Sequence, residues 1–236
     1  MATFVLVHGA WHGAWCWRRV ARLLARNGHE VFTPTLTGLA ERSHLLTPDI
    51  DLDTHILDVV NEMKWQQLRD VQLVGHSYGG MVISGVAEKM EKSIASLVML
   101  DAFFPETGEA LADLAAPAAR DGFLAAERAG ASTVPPRSAA MFKVNDRDRA
   151  WVDAQCTPQP IKCVLQKLTL TGARERIAKK AYIRATEYPN PPFDVALDKA
   201  RAQGWRTYEV ACGHDVMLDA PEQLAAILQD EATPRI

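Results

Sequence analysis

The chain opens on Thr3-Phe-Val-Leu-Val7, a short run dominated by apolar, partly β-branched residues with no polar alternation. Such a run suits a parallel strand covered on both faces. From Trp15 to Asn27 the period changes. Trp17, Val20, Leu23 and Leu24 share one helical face, Arg18, Arg19, Arg22 and Arg26 lie elsewhere, and Asn27-Gly28 supplies a C-terminal stop. His29 to Thr33 predicts a second strand, closed by Pro34, and Thr35 to Ile50 an irregular loop. Asp53 to Leu68 predicts an amphipathic helix that turns Ile56, Val59, Val60, Met63 and Leu68 inward. Val71 to Val74 follows as a third strand, Met81 to Met90 as a helix, and Ile94 to Leu100 as a fourth strand ending at Asp101. Strand alternating with helix predicts an α/β fold, a mainly parallel central sheet flanked by helices.

The alternation breaks between Phe103 and about Ile177. This stretch is rich in alanine and has no clear strand. Helical pieces fall at roughly 109–129, 145–154 and 160–169, interrupted by Pro117, Pro135-Pro136, Pro158 and Pro160. It is too long for a simple connection. Alternation resumes with a strand over Ala178 to Ala185, a helix over Phe193 to Gln203, a strand over Trp205 to Val210 and a last helix over Ala220 to Gln229. Asp219 and Glu222 have the D-x-x-E spacing of a capping box for that helix. The expected organisation is a core of residues 1–102 and 178–236 with a helical lid over 103–177.

Composition narrows the function classes. At 236 residues the chain supports one sizeable domain. A net charge of -3 with no basic stripe gives no nucleic-acid footprint. No apolar run is long enough to span a bilayer, and the N-terminus lacks the basic region of a signal peptide, so a cytoplasmic protein without membrane partners is expected. Cys16, Cys156, Cys163 and Cys212 have no metal-ligand spacing and read as reduced thiols. A homodimer stays open.

The chemistry concentrates in Val71–Met81. Gly75-His76-Ser77-Tyr78-Gly79 is a G-x-S-x-G sequence with a strand before it and a helix after it, the setting of a nucleophile elbow. A serine stands at the tip of so sharp a turn only if its neighbours two residues away carry almost no side chain; Gly75 and Gly79 satisfy this, and Gly80 lets helix and strand pack closely. A serine hydroxyl needs a base to remove its proton. His214 is placed for this, after a late strand and before the final helix. His8, His12 and His76 lie near the predicted site as competitors, the His76 side chain is expected to point away from Ser77, and His29, His44 and His55 are expected at the surface or in loops. An oxyanion hole needs two backbone N–H donors. Tyr78 follows the nucleophile, and His8-Gly9-Ala10 lets backbone approach a substrate, with Ala10 the expected donor.

Phe4-Val-Leu-Val-His-Gly-Ala-Trp-His-Gly-Ala-Trp-Cys-Trp17, Gly75-His-Ser-Tyr-Gly79 and Gly213-His-Asp-Val-Met-Leu-Asp-Ala-Pro221 together resemble the α/β-hydrolase superfamily, and within it the small esterase and hydroxynitrile-lyase branch that includes plant methylesterases and bacterial carboxylesterases. The resemblance implies a helical cap over the serine and no cofactor; no metal is expected either. Lyases of that branch carry threonine in the first loop and lysine after the catalytic histidine; Gly9 and Asp215 stand there in this chain and favour ester hydrolysis. The branch's usual position for the triad acid falls near Tyr188, flanked by Glu187, with Asp194 further on. Another solution in the superfamily places the acid at the end of the strand after the elbow helix, here Asp101. The expected triad is therefore Ser77, His214 and Asp101, with Glu187 the main rival and Asp194 behind it. The expected partner is a small to medium, mostly apolar ester, with Phe103, Phe104, Phe123, Phe142 and Trp151 available to form its pocket or to pack the lid. A hydroxynitrile lyase and a receptor with little turnover are the alternatives.

Overall fold

The computed structural model of the chain is described over residues 1–233. The first half runs β1 (Thr3–Val7), α1 (Arg18–Arg26), β2 (Glu30–Phe32), α2 (Leu52–Trp65), β3 (Val71–His76), α3 (Gly79–Met90) and β4 (Ile94–Leu100). An insertion of short pieces follows: α4 (Leu111–Leu114), α5 (Pro117–Arg128), β5 (Thr133–Val134), α6 (Asp146–Gln155), β6 (Gln159–Pro160), α7 (Ile161–Leu165) and α8 (Ala173–Arg176). The chain then returns through β7 (Lys179–Ala185), α9 (Pro191–Ala202), β8 (Arg206–Val210), α10 (Val216–Asp219) and α11 (Pro221–Ala232). No helix among the described residues is long and apolar enough to cross a membrane.

Six strands form one parallel sheet in the order β2-β1-β3-β4-β7-β8, flanked by helices as the alternation predicts. Burial follows position in the sheet. Every residue of central β3 is buried, and β4 is buried at all but one position, which explains their unbroken apolar runs. The edge strands β2 and β8 are mostly half-covered and more polar in sequence. Because all six strands run the same way, their carboxyl ends meet along one edge of the sheet, where ligands bind in open α/β sheets. That edge receives His8-Gly9-Ala10 from β1, Ser77 from β3, Asp101 from β4, Tyr188 from beyond β7 and His214 from beyond β8.

The structure departs from the sequence expectations at several ends. Residues 14–17 form a separate 3-10 turn ahead of α1, and the loop after β2 contains another at 40–45. Asp51 caps α2, its Oδ1 accepting from the Thr54 amide at 2.9 Å. The capping box expected at Asp219 and Glu222 does not form. The Asp219 carboxylate instead accepts from the Asn145 amide at 3.1 Å and from Asn145 Nδ2 at 2.6 Å, tying the α10–α11 corner to the insertion. The insertion also holds a two-residue antiparallel ladder, Thr133–Val134 against Gln159–Pro160, where no strand is expected. Two residues are too few to show a period of two, and a proline in the run argues against a strand. All four cysteines are free, three of them buried.

Candidate active site

β3 runs directly into Ser77, and α3 opens at Gly79. Ser77 has φ 54°, a left-handed conformation that costs a side-chain-bearing residue about 1 kcal/mol or more. The surroundings hold it there: its amide donates to the Leu100 carbonyl at 3.1 Å, and its carbonyl accepts from the Phe103 amide at 3.2 Å. The glycines leave room for the turn. A Cβ on Gly75 would lie 2.6 Å from the Gly79 carbonyl oxygen, and one on Gly80 would lie 2.2 Å from the Phe103 carbonyl oxygen. Both obstacles are backbone, which yields little. Gly80→Ala is therefore expected to destabilise by about 1–3 kcal/mol through overpacking. Gly122→Ala in α5, where a Cβ meets nothing within 4 Å, is expected to stabilise by up to about 1 kcal/mol through helix propensity. Urea midpoints of the two variants, moving in opposite directions from wild type, are the check.

The His214 ring is buried among Tyr188, Phe193 and Phe142, with centroids at 4.7, 5.3 and 5.4 Å. Its Nδ1–H donates to Asp101 Oδ2 at 2.6 Å. Asp101 is fully buried, and its other oxygen accepts from Arg184 Nη1 at 2.8 Å and from the Ala185 amide at 3.1 Å. Three donors on two oxygens fix the orientation of this carboxylate. The two rival acids lie elsewhere. Glu187 is exposed, and Asp194, mostly exposed, accepts from Arg184 at 2.9 Å. The sequence reading did not single out Arg184. A charged residue inside an apolar strand, as in Tyr182-Ile-Arg-Ala, was the available signal, since such a residue needs a buried partner.

A second buried network lies behind the first. His12 Nδ1 is 2.8 Å from the Ala10 carbonyl oxygen and Nε2 is 3.0 Å from Asp215 Oδ2. Both neighbours only accept, so both nitrogens must carry hydrogen and His12 is an imidazolium paired with a carboxylate. Burial pulls the His12 pKa down, but the Asp215 carboxylate outweighs it and the net shift is upward. For Asp215 burial pushes up, and the His12 charge and hydrogen bond pull the carboxyl well below its usual range. The other nearby histidines are neutral. His8 accepts from the Leu36 amide on Nε2 and donates from Nδ1 to the Gly9 carbonyl, and burial lowers its pKa to about 3. His76 turns away from Ser77, as expected, and donates to the His214 carbonyl at 3.0 Å; burial, then His214, push it well down. His55 corrects the sequence expectation. It is fully buried, donates to the Thr37 carbonyl at 2.9 Å, accepts from the Tyr78 hydroxyl at 2.9 Å, and burial lowers its pKa to about 4. An amphipathic pattern that assigns histidine to the polar side missed it.

His76, His214 and Asp215 offer ligand atoms within 4.8 Å of one another. In the protein, His76 Nε2 is engaged by the His214 carbonyl and Asp215 Oδ2 by His12, while His76 Nδ1 and Asp215 Oδ1 have no hydrogen-bond partner among the described residues.

Ala10 and Tyr78 line the same cavity as Ser77 and His214. Among the described residues neither amide donates to a backbone carbonyl in the turns and loops. The residue after Ala10, Trp11, has φ 66°, and the insertion grips it on three sides. Its amide donates to Gln159 Oε1 at 3.1 Å, its indole N–H to the Val134 carbonyl at 3.1 Å, and its carbonyl accepts from the Thr157 amide at 2.9 Å. Phe103, Leu111, Phe123, Phe142, Val164 and Phe193 give the cavity apolar walls. Of the aromatics proposed for it, Phe104 packs on Trp205 with centroids 4.8 Å apart, and Trp151 on Trp15 at 5.0 Å; both are structural. Gly9 and Asp215, where the lyase pattern is expected to differ, also have physical roles. A Cβ on Gly9 would lie 2.9 Å from His76 Nδ1 and 3.0 Å from Ser77 Cβ, and Asp215 is fully buried against His12 and is not part of the cavity wall.

Residues 4–227 match the sequence profile of the alpha/beta hydrolase family. The chain is 42% identical over 235 residues to the carbendazim hydrolyzing esterase of Nocardioides sp. (strain SG-4G), covering 95% of this chain and 97% of that one. It is 37% identical over 106 residues to methylesterase 1 of Arabidopsis thaliana, covering 44% of this chain and 40% of that one. An extracellular alpha/beta-hydrolase from a Paenibacillus species superposes with a TM-score of 0.87 over 100% of both chains at 26% identity. A parallel sheet ending in a serine elbow, matched over nearly its whole length by a family profile and an esterase relative, identifies this chain as a carboxylesterase belonging to the alpha/beta hydrolase family.

Proposed function

We propose that Ser77, His214 and Asp101 form the catalytic triad of this esterase and that the amides of Ala10 and Tyr78 form its oxyanion hole. The observation that carries the assignment is the 2.6 Å bond from His214 Nδ1 to the buried Asp101 carboxylate, with His214 and Ser77 lining one cavity. With Nδ1 engaged, Nε2 is the nitrogen left to take the Ser77 proton as Oγ attacks the ester carbonyl. The tetrahedral oxyanion receives the two amides, each such donor worth about 3–4 kcal/mol. His214 then gives its proton to the leaving alcohol, and the acyl-Ser77 ester is hydrolysed by a water that His214 deprotonates.

Residues 103–177 serve as a lid over a core of 1–102 and 178–236. Phe103, Phe123 and Phe142 put aromatic surface over the serine, which suits small to medium, mostly apolar esters, and no cofactor enters the scheme. The relative described as carbendazim hydrolyzing makes carbendazim a substrate to test beside p-nitrophenyl acetate and butyrate. Turnover of at least one of these is expected, together with stoichiometric labelling of the Ser77 peptide by diisopropyl fluorophosphate and loss of both in Ser77→Ala. Tight binding of these esters with no turnover and no labelling would instead favour a receptor.

A further inference from the structure

The cavity over Ser77 contains a charge that acyl transfer does not use. Among the described residues, Arg137 is the one arginine, lysine or carboxylate in its wall. The arginine is partly buried, and among the described residues it has no carboxylate or hydrogen-bond partner. The contrast with the other covered arginines is sharp: Arg184 is paired with Asp101 and Asp194, and Arg174 with Glu175 and the Pro105 carbonyl. Its backbone is anchored on both sides. Thr133–Val134 pair with Gln159–Pro160, Pro135-Pro136 follow with fixed φ, and beyond Arg137 the Ala139 amide donates to Asp153 Oδ1 at 2.7 Å. Arg137 shares the cavity wall with Ser77, Tyr188 and His214. Burial pushes the Tyr188 phenol up, and the Arg137 cation is the strongest influence opposing it, while the Tyr188 ring lies 4.7 Å from His214.

An unpaired guanidinium on the wall of a mostly apolar cavity is a planar double donor lacking its acceptor. We propose that Arg137 is a specificity-determining residue that binds the free carboxylate of a half-ester, so that favoured substrates have an apolar body with an ionised carboxyl group at the end remote from the scissile bond. This rests on the acyl-transfer reading above and adds the substrate class to it.

Matched substrates test it. Mono-p-nitrophenyl glutarate and p-nitrophenyl pentanoate differ in a carboxylate against a methyl at the end of the acyl chain. 4-Acetoxybenzoate and 4-methylphenyl acetate make the same exchange on the alcohol side. In wild type, kcat/KM for the anionic member of at least one pair exceeds that for the neutral member. In Arg137→Gln that ratio falls about tenfold to a hundredfold, the span of a charge-assisted bidentate contact, mainly through KM. Arg137→Lys retains part of it, because it keeps the charge without the fork. A ratio unchanged by Arg137→Gln in both pairs, with the neutral esters still turned over, overturns the proposal. Failure of wild type to hydrolyse any of the four, or hydrolysis surviving Ser77→Ala, would overturn the acyl-transfer reading instead.

Discussion

Asp101→Asn is expected to lower kcat on p-nitrophenyl acetate by about 10⁴, leaving the folded structure in place. The reason is the direction of one hydrogen bond. The carboxylate accepts from His214 Nδ1, and in the proposed triad this leaves Nε2 free to accept from Ser77. The two donors on the other oxygen, Arg184 Nη1 at 2.8 Å and the Ala185 amide at 3.1 Å, will hold the asparagine carbonyl on their side. The asparagine N–H₂ then faces Nδ1 and donates to it. The proton moves to Nε2, and the histidine can no longer accept from serine. Glu187→Gln and Asp194→Asn change neither partner of His214 and should keep kcat within a few-fold of wild type. If Asp101→Asn retained near-full kcat while Glu187→Gln lost orders of magnitude, the acid would be Glu187.

The sheet was legible in the sequence because buried parallel strands are written as unbroken apolar runs, and β4 lies where Ile94–Leu100 predicts it. The elbow was legible because its glycines fall at fixed short spacings from the serine, although the backbone that demands Gly79 and Gly80 comes from Val7 and Phe103. The insertion was read only as helical pieces, since its stability comes from contacts such as Trp11 with Gln159, 148 residues apart, rather than from local periodicity. The histidines show the same limit. His12 and Asp215 are 203 residues apart, and nothing in either neighbourhood announces the pairing. Asp215 was visible as a departure from the lyase pattern, but its partner became visible only when β1 and β8 brought their carboxyl ends to one edge. Asp101 was placed by analogy with the strand-end position of other hydrolases. Arg184, which orients it, gave only the weak signal of a charge inside a strand.

The His12–Asp215 pair carries the largest stability effect expected of a single substitution here. Asp215→Leu removes the acceptor of a buried imidazolium and should cost about 3–5 kcal/mol. For a domain of this size that is a fall in Tm of roughly 6–20 °C. Asp215→Asn should cost clearly less. A neutral His12 can keep Nδ1–H on the Ala10 carbonyl and accept on Nε2 from the asparagine N–H₂, so the network closes without charge. The two variants also separate by pH. Asp215 has a depressed folded pKa, so its contribution is present above its unfolded value of about 3.9. His12 has a raised folded pKa, so its contribution is complete below its unfolded value of about 6.5 and is lost as pH rises through the folded value. The pair therefore stabilises most between about pH 4 and 6.5 and progressively less on the alkaline side. Wild-type urea midpoints should decline from pH 6 toward pH 9, and the variants lacking Asp215 should lose that part of the slope. Equal destabilisation by leucine and asparagine, with the wild-type alkaline slope unchanged in both, would mean that His12 is neutral in the fold and that the two residues share a hydrogen bond without a charge.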